Sequence, residues 1–348
     1  MILLSPTQTP TVELYVIAAP GLEPAVAAEL EALGFTDLRP ERGGVTCVGD
    51  PAVANLHLRA ATRVLARVAT FKATRFTDLS REAAKIDWSP YGGLTPKATC
   101  RKSRLYHSGA VEEALAKSVP PGPGVLMARL HRDVCTLSVD TSGERLHRRG
   151  WRLENGPAPL RESLASGLLR LAGWDPATPL YDPMCGSGTF LIEGALWAAG
   201  VPPGQIRAEG DAEIVPAPAS GPQIFGSDRS APTIKAAQRN AERAGISSWL
   251  SLKVCEAGRA APPPDAPPGL VICNPPYGRR VDAARHAMAR LREGLSAFPR
   301  WSVALFAPPR QLADAQASKM WDRPIVGRHR VDNGGLKTAL LVLGPQGA

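Results

Sequence analysis

LYDPMCGSGTFLIEGA (Leu180–Ala195) predicts a short strand, a glycine-containing loop and a helix in direct succession. The same alternation continues downstream, with strand-like IFGSD, LSLKVCE, GLVICNPPY and WSVALFAP separated by helical or loop segments. Strands that alternate with helices predict a parallel, doubly wound sheet. The final stretch, HRVDNGGLKTALLVLG, predicts an antiparallel hairpin with an Asn-Gly turn at the edge of that sheet.

The loop after the first of these strands predicts a ligand site, because ligands of open α/β sheets bind at the carboxyl ends of the strands. Gly186 and Gly188 allow a close approach to the backbone, and the helix beginning near Thr189 points free N–H groups at the ligand. A phosphate-binding P-loop would need a lysine after the last glycine, and a dinucleotide loop would need a third glycine. Asp182 disfavours a pyrophosphate and suits S-adenosylmethionine, which has hydroxyls, an amino group and a sulfonium.

Two further acids follow the next strands. Asp228 ends IFGSD, where an acid can bind both hydroxyls of a ribose. Glu256 ends the third strand, where it could accept the adenine amino group. Each acid alone would be an ordinary turn or cap residue, but three on successive strands favour a cofactor site. Cys185 lies between them and could be a nucleophile, although beside two glycines it is better explained by its small size.

NPPYG (Asn274–Gly278) follows the fourth strand and predicts a binding site for a planar amine. Two prolines make a stiff turn with outward carbonyls and no N–H donors. Asn274 Oδ1 and the Pro275 carbonyl can each accept one N–H of an amine, and Tyr277 offers a ring face to a base taken out of its helix. Guanine N2, adenine N6 and a protein glutamine all remain possible as the methylated amine.

The positive charge is concentrated in the middle of the chain. The whole protein has a net charge of +9, and residues 59–149 contain 17 Lys and Arg against 8 Asp and Glu. Such a segment indicates a nucleic-acid partner, with a solvated basic face as the alternative. Arg101, Lys102, Arg148 and Arg149 are candidate substrate contacts.

Other composition features bear on location and on metals. No apolar run approaches the ~20 residues of a membrane span, and the N-terminus lacks the basic flank of a signal peptide. The six cysteines are scattered and the six histidines are not clustered, so no metal is expected. These features predict a cytoplasmic protein without a membrane partner, and we expect a monomer.

Three domains are predicted, at residues 1–58, 59–150 and 151–348. The first should be a small α+β unit. In the second, RAATRVLARVATFKA is expected to be an amphipathic helix that turns into a strand, and VLMARLHRDVCTLSVD a hairpin with Arg132-Asp133 near its turn. The proline-rich stretch 202–222 is expected to be a surface insertion.

DPMCGSGTFLIEGA, GSD and NPPYG together resemble class I methyltransferases that act on planar amines. Upstream, GLEPAVAAELEALGF, KSRLYHSGAVEEAL, LSVDTSGERLHRRGWR and APLRESLASGLL resemble the THUMP-containing RNA guanine-N2-methyltransferases. The resemblance covers about residues 12–343. It implies an α/β fold with a Rossmann-like class I methyltransferase domain preceded by α+β ferredoxin-like and THUMP RNA-binding domains.

The resemblance also implies an activity and a set of site residues. The implied reaction forms N2-methylguanosine with S-adenosyl-L-methionine, in 23S ribosomal RNA first or in tRNA second. A different class of function is a non-catalytic RNA-binding or ribosome-assembly factor. The implied catalytic residues are Asn274, Pro275 and Tyr277, and Arg161 matches the family's arginine just before the catalytic domain. The candidate cofactor-binding residues are Asp182, Pro183, Cys185, Gly186, Gly188, Thr189, Asp228, Glu256 and Asn274.

Overall fold

The computed structural model describes residues 11–154, 160–209, 215–216, 218, 223–277, 281–317 and 322–347. Two seven-stranded sheets account for the strands of these ranges. One sheet is built from residues 12–140 and the other from residues 180–343.

The first sheet is mostly antiparallel, with strand order β2-β3-β1-β4-β7-β6-β5 and a single parallel pair, β5 with β6. Its strands are β1 Val12–Ala18, β2 Thr36–Glu41, β3 Gly44–Gly49, β4 Ala61–Lys72, β5 Leu94–Arg101, β6 Gly124–His131 and β7 Val134–Asp140. Its helices are α1 Glu23–Ala32, α2 Pro51–His57, α3 Phe76–Ala83 and α4 Ser108–Ala116.

β4 corrects one expectation from the sequence. The segment that was expected to begin as a helix is a single strand of 12 residues, so the helix prediction for its first part is wrong. β4 pairs with β1 on one side and with β7 on the other, so strand pairing on both edges overrides the helical spacing of its apolar residues. The predicted boundary at residues 58 and 59 therefore falls just before a strand that joins both halves of one sheet.

The hairpin of β6 and β7 confirms the turn expected from the sequence. Arg132 and Asp133 form its two-residue turn, with φ of 52° and 63°. Two residues with positive φ are what a type I′ turn requires, because this turn matches the twist of the flanking strands.

The second sheet has strand order β10-β9-β8-β11-β12-β14-β13. Its strands are β8 Leu180–Asp182, β9 Ile224–Asp228, β10 Leu250–Val254, β11 Leu270–Cys273, β12 Ser302–Ala307, β13 Ile325–Asn333 and β14 Leu336–Leu343. Its helices are α5 Glu162–Leu171, α6 Thr189–Ala198, α7 Pro203–Glu209, α8 Ala231–Arg243, α9 Val281–Leu295 and α10 Pro309–Ala317. The first five strands are parallel and the last two form the antiparallel edge, which confirms the predicted α/β sheet.

The strand order places a switch point between β8 and β11. From β8 the chain builds outward through β9 to β10, and it then returns to the other side of β8 to add β11 and β12. Ligands bind where the order reverses, at the carboxyl ends of the two strands. The glycine loop follows β8 and the NPPY segment follows β11, so both motifs lie at this point.

The two sheets are joined by a shared hydrophobic core and by close helix contacts. A Cβ added to Gly167 of α5 would lie 2.7 Å from Leu22 Cδ1, which precedes α1. α7 packs against α2, since a Cβ on Gly204 would lie 2.6 Å from Leu56 Cα, and Ile206 is 2% exposed. The expectation that residues 202–222 are a surface insertion is therefore wrong for α7, which helps to hold the two sheets together.

Candidate active site at the switch point

The loop between β8 and α6 is shaped by its glycines. Gly186 and Gly188 have φ of +55° and +87°, a region that L-residues with side chains rarely adopt. A Cβ on Gly188 would lie 3.2 Å from Ala237 Cβ, so this glycine also lets α8 approach. Gly188 is the N-cap of α6, and within the described ranges no side chain caps that helix terminus. Its backbone N–H groups are therefore available to an anionic group such as a carboxylate.

Asp182 lies at the end of β8 and is 3% exposed. Its Oδ1 accepts a hydrogen bond of 3.0 Å from the Met184 N–H. Burial raises the pKa of the Asp182 carboxyl to about 8, and the nearby Asp228 carboxylate contributes to the rise. A cationic group placed beside Asp182 would favour the ionised form, so the site suits the amino group of a cofactor.

Asp228 connects the end of β9 to the glycine loop. Its Oδ2 accepts a 3.2 Å hydrogen bond from the Gly186 N–H, and its Oδ1 accepts one of 2.9 Å from the Ser230 N–H. The Cys255 N–H in turn donates to the Asp228 carbonyl at 3.0 Å, so the segment after β10 is fixed to the same strand end. Glu256 follows at once and is exposed, and no cap hydrogen bond engages its side chain within the described residues.

The remaining loop residues form the buried support of this site. Pro183, Cys185 and Thr189 are buried, and the Cys185 N–H donates to the Ser227 carbonyl at 2.9 Å. Burial raises the pKa of the Cys185 and Cys273 thiols well above the ordinary value, with Asp182 adding to both shifts. Neither thiol is therefore an activated nucleophile.

Asn274 follows β11 and has a buried acceptor without a partner. Its Oδ1 is buried and makes no hydrogen bond to any residue in the described part of the chain. Buried polar atoms are nearly always hydrogen-bonded, and an exception needs a reason such as a ligand. Pro275 is buried beside it, and the Pro276 carbonyl accepts a bond of 3.4 Å from Gln311 Nε2 of α10. The structure thus has an unused acceptor at the switch point.

Tyr277 is held by a residue that sequence reasoning missed. Its hydroxyl accepts a 3.2 Å hydrogen bond from Asn333 Nδ2, at the turn between β13 and β14. Burial raises the pKa of the Tyr277 phenol, and the Asn333 bond lowers it by a smaller amount. Asn333 was recognised only as a turn residue, since nothing in its spacing from Tyr277 signals a contact.

Arg161 reaches the same turn from another part of the chain. It is the N-cap residue of α5 and is exposed, and its Nη2 lies 3.8 Å from a Cβ added to Gly334. His147 lies near this guanidinium. Burial lowers the pKa of His147 to about 4, and Arg161 makes the next largest contribution to that shift. The turn of β13 and β14 therefore lies between Tyr277 and Arg161.

Arg149 corrects a second expectation. It is fully buried, and its guanidinium contacts both Glu193 carboxylate oxygens at 3.4 Å and donates to the Leu146 and Arg59 carbonyls. The prediction that Arg149 contacts RNA is wrong, because its charge is used inside the protein to connect the first sheet to α6. Arg148 is exposed and pairs with Glu144.

Arg101 and Lys102 lie elsewhere, at the end of β5, and both are exposed. The described residues contain no group of three or more His, Cys, Asp or Glu side chains placed to hold a metal ion. None of the helices described is both long enough and apolar enough to cross a membrane.

Comparison with known families explains this arrangement. The family described as RMKL-like, methyltransferase domain matches residues 149–335, and the RlmL ferredoxin-like domain matches residues 13–65. The chain belongs to the RMKL-like methyltransferases. This membership confirms the class I methyltransferase fold and the ferredoxin-like N-terminal unit expected from the sequence. It implies S-adenosylmethionine as the methyl donor of this methyltransferase, and the acids at the ends of β8, β9 and β10 fit that cofactor.

Individual relatives are similar along nearly their whole length. The protein slr0064 of Synechocystis sp., described as an inferred RNA methyltransferase, is 33% identical, with 94% of this chain and 95% of the relative covered. A solved structure from Listeria monocytogenes, described as a predicted N6-adenine-specific DNA methylase, has a TM-score of 0.82 and 27% identity, covering 97% of each chain. SMU.472, an inferred methyltransferase solved in complex with SAH, has a TM-score of 0.84 and 26% identity, covering 98% of this chain and 100% of the other.

Proposed function

We propose that this methyltransferase uses S-adenosylmethionine to form N2-methylguanosine in RNA, with 23S ribosomal RNA as the first candidate substrate and tRNA as the second. The observation that carries the proposal is the buried Asn274 Oδ1, which has no hydrogen-bond partner in the described residues. A planar exocyclic amine presents two N–H donors, and a site that grips it needs two acceptors. Asn274 Oδ1 and the Pro275 carbonyl supply them on a stiff turn.

The chemistry requires positioning more than proton transfer. When bound, the cofactor would supply a methyl group on a sulfonium, and the amine nitrogen would form the new bond as the sulfur–carbon bond breaks. Positive charge then grows on the nitrogen, and the two acceptors stabilise it because their dipoles are fixed in advance. The proton can leave afterwards to water, so no general base is needed. Tyr277, whose phenol pKa is raised by burial, stays protonated and offers its ring to the base.

Cofactor binding is assigned to the ends of three neighbouring strands. In this proposal Asp182 accepts from the amino group, Asp228 from the ribose hydroxyls and Glu256 from the adenine amino group. The uncapped backbone N–H groups in the first turn of α6 receive the carboxylate. The orientation of Asp228 supports its role, since its bonds to the Gly186 and Ser230 N–H groups already fix the carboxylate at the edge of the loop.

Two findings support RNA as the substrate. The excess of positive over negative side chains in residues 59–149 equals the net charge of the whole protein, +9. In addition, slr0064 is described as an inferred RNA methyltransferase. Residues 59–150 are accordingly proposed as a THUMP RNA-binding domain, after a ferredoxin-like segment at 1–58 and before the catalytic domain at 151–348. A cytoplasmic location and a monomeric state remain predictions.

Adenine N6 is the second candidate acceptor. It is favoured by the description of the Listeria monocytogenes relative, which names an N6-adenine-specific methylase. The same two acceptors would serve either amine, so the choice of guanine rests on the resemblance of the N-terminal segments to guanine-N2-methyltransferases. A non-catalytic assembly factor is the alternative from another class. Calorimetric titration would favour it if S-adenosylmethionine did not bind.

Nucleoside mass spectrometry of RNA with and without the gene tests the proposal. Deletion should lower N2-methylguanosine in the ribosomal fraction, and a plasmid copy should restore it. A change confined to the tRNA fraction would select the second substrate. If N6-methyladenosine disappeared and N2-methylguanosine stayed constant, guanine would be the wrong acceptor.

A further inference from the structure

A basic surface lies at one end of the first sheet, remote in sequence from the methyltransferase motifs. Residues 101–107 and 131–133 form it, and we call it the β5 tip. Parallel pairing of β5 with β6 sets Arg101 opposite His131, and the Arg132 N–H donates to the Arg101 carbonyl at 3.2 Å. Arg101, Lys102, Arg104 and Arg132 are exposed, so four cations share this end of the sheet.

Hydrogen bonds fix the backbone of the β5 tip. Ser103 Oγ donates to the Arg101 carbonyl at 3.1 Å and accepts from the Asp133 N–H at 3.1 Å. Asp133 Oδ1 accepts from the Arg104 N–H at 2.7 Å. Asp133 is the one carboxylate in residues 101–107 and 131–133, and this bond holds it to the backbone. The cations are therefore presented from a rigid loop with little opposing charge.

Two of these cations occupy costly backbone positions. Lys102 has φ of 49° and Arg132 has φ of 52°, in the left-handed region that glycine adopts without penalty. Strained residues tend to cluster where a protein binds or switches. At Arg132 the type I′ turn between β6 and β7 accounts for this conformation, and at both positions the exposed side chain is carried by a backbone of fixed geometry.

An exposed aromatic side chain lies beside the cations. Tyr106 is 70% exposed, and its ring centroid is 4.1 Å from that of His107, with the two planes at 41°. A large aromatic face next to cations is the combination used to bind single-stranded nucleic acid, because bases stack on the ring while cations neutralise phosphates. In a duplex the bases stack on one another, so their faces are not available to such a ring.

We propose that the β5 tip binds an unpaired segment of the RNA substrate, with a base stacked on Tyr106 and phosphates held by Arg101, Lys102 and Arg132. The inference rests on the proposed RNA substrate and adds what the protein recognises away from the methylated base. It also predicts that Tyr106 affects RNA affinity without affecting cofactor binding.

The stacking part is tested with a labelled single-stranded RNA of about 16 nucleotides and the duplex that it forms with its complement. Tyr106→Ala should weaken binding of the single strand by roughly 5- to 150-fold, the range expected for loss of one stacked base. Tyr106→Trp should retain the affinity. Phe76→Ala, which removes an aromatic that is 42% exposed on α3, is the matched control and should change little.

The charge part is tested by the dependence of affinity on salt. Lys102→Gly combined with Arg132→Gly should reduce the salt slope for the single strand by about 1.4, since each lost phosphate contact removes about 0.7. Both replacements relieve a left-handed φ, so the melting temperature should not fall and unfolding cannot explain the loss. Lys117→Gln, at the exposed end of α4, is the control and should leave the slope unchanged.

The outcomes separate this inference from the proposed function. If wild-type protein methylates RNA but Tyr106→Ala binds the single strand as Phe76→Ala does, the β5 tip proposal is wrong and the methyltransferase proposal stands. Equal losses for single strand and duplex would also refute recognition of unpaired RNA. If wild-type protein neither binds nor methylates RNA, the proposed function itself fails.

Discussion

Replacing Asp182 by asparagine should make the cofactor-free protein more stable at neutral and alkaline pH. The Asp182 carboxyl has a pKa of about 8 in the folded protein against 3.8 when free, because burial disfavours its charge. A raised carboxyl pKa contributes stability below pH 3.8, and this contribution is lost as the pH rises toward 8. The loss is about 1.4 kcal/mol per pH unit, or on the order of 4 kcal/mol by pH 7. The amide side chain of the variant does not titrate and avoids this loss.

Urea unfolding of both proteins at several pH values between about 5 and 9, followed by tryptophan fluorescence, measures the effect. The stability advantage of Asp182→Asn should grow with pH and level off above about 8. Asp175→Asn is the matched control, because Asp175 Oδ1 accepts from the Ala177 N–H at 2.9 Å in the same i to i+2 pattern but is exposed. Asp175→Asn should change the free energy of unfolding little, because the side chain is exposed.

The affinity of the wild-type protein for its cofactor should rise with pH, whereas the stability of the cofactor-free protein falls. S-adenosylmethionine should bind wild-type protein more tightly as the pH rises toward about 8, since its amino group needs the ionised Asp182. Asp182→Asn should bind weakly at every pH. A stability difference that stayed constant over the same pH series, or equal cofactor affinity in both proteins, would refute the assignment of a buried acid with a raised pKa to the cofactor site.

Three further substitutions test separate parts of the structure. Asn274→Ala should lower the single-turnover rate of methyl transfer by roughly 10²- to 10³-fold, as for loss of one preorganised polar group, and calorimetric cofactor affinity should stay nearly intact; loss of both would make Asn274 structural. Arg149→Ala should lower the free energy of unfolding in urea by about 3–5 kcal/mol, because Glu193 is left buried without its partner, and a change near zero would contradict that role. Asn333→Leu should raise KM for RNA as much as Tyr277→Phe does, because either change removes the hydrogen bond between these two side chains. Additive effects in the double variant would mean that the two side chains act independently.

Local patterns in the sequence predicted much of the fold and the loop geometry. Gly186 and Gly188 between an apolar strand and an apolar helix identified the cofactor loop, and its left-handed backbone explains the glycines. The hairpin with Arg132-Asp133 near its turn was also predicted from a short stretch of sequence, and β6 and β7 pair on either side of that turn. These features depend on neighbours within a few residues, where backbone preferences and side-chain period decide the structure.

Contacts between distant residues could not be predicted in this way. Arg149 stands in the basic run Arg148-Arg149, yet one arginine is exposed and the next is buried against Glu193, 44 residues away. The Asn333 bond to Tyr277 spans 56 residues. The first pairing depends on how the two sheets pack, and the second depends on the strand order within the second sheet. The helical spacing in β4 was misleading for the same reason, since its neighbours on both edges made it a strand.

Site-resolved mapping of N2-methylguanosine in total RNA tests the central claim most directly. It compares a gene-deletion strain carrying a wild-type copy with the same strain carrying Asn274→Ala. We predict that one guanosine, first sought in 23S ribosomal RNA, is methylated with the wild-type copy and unmethylated with the variant. An N2-methylguanosine pattern that is identical in the two strains, with the variant protein folded and binding S-adenosylmethionine, would contradict the claim.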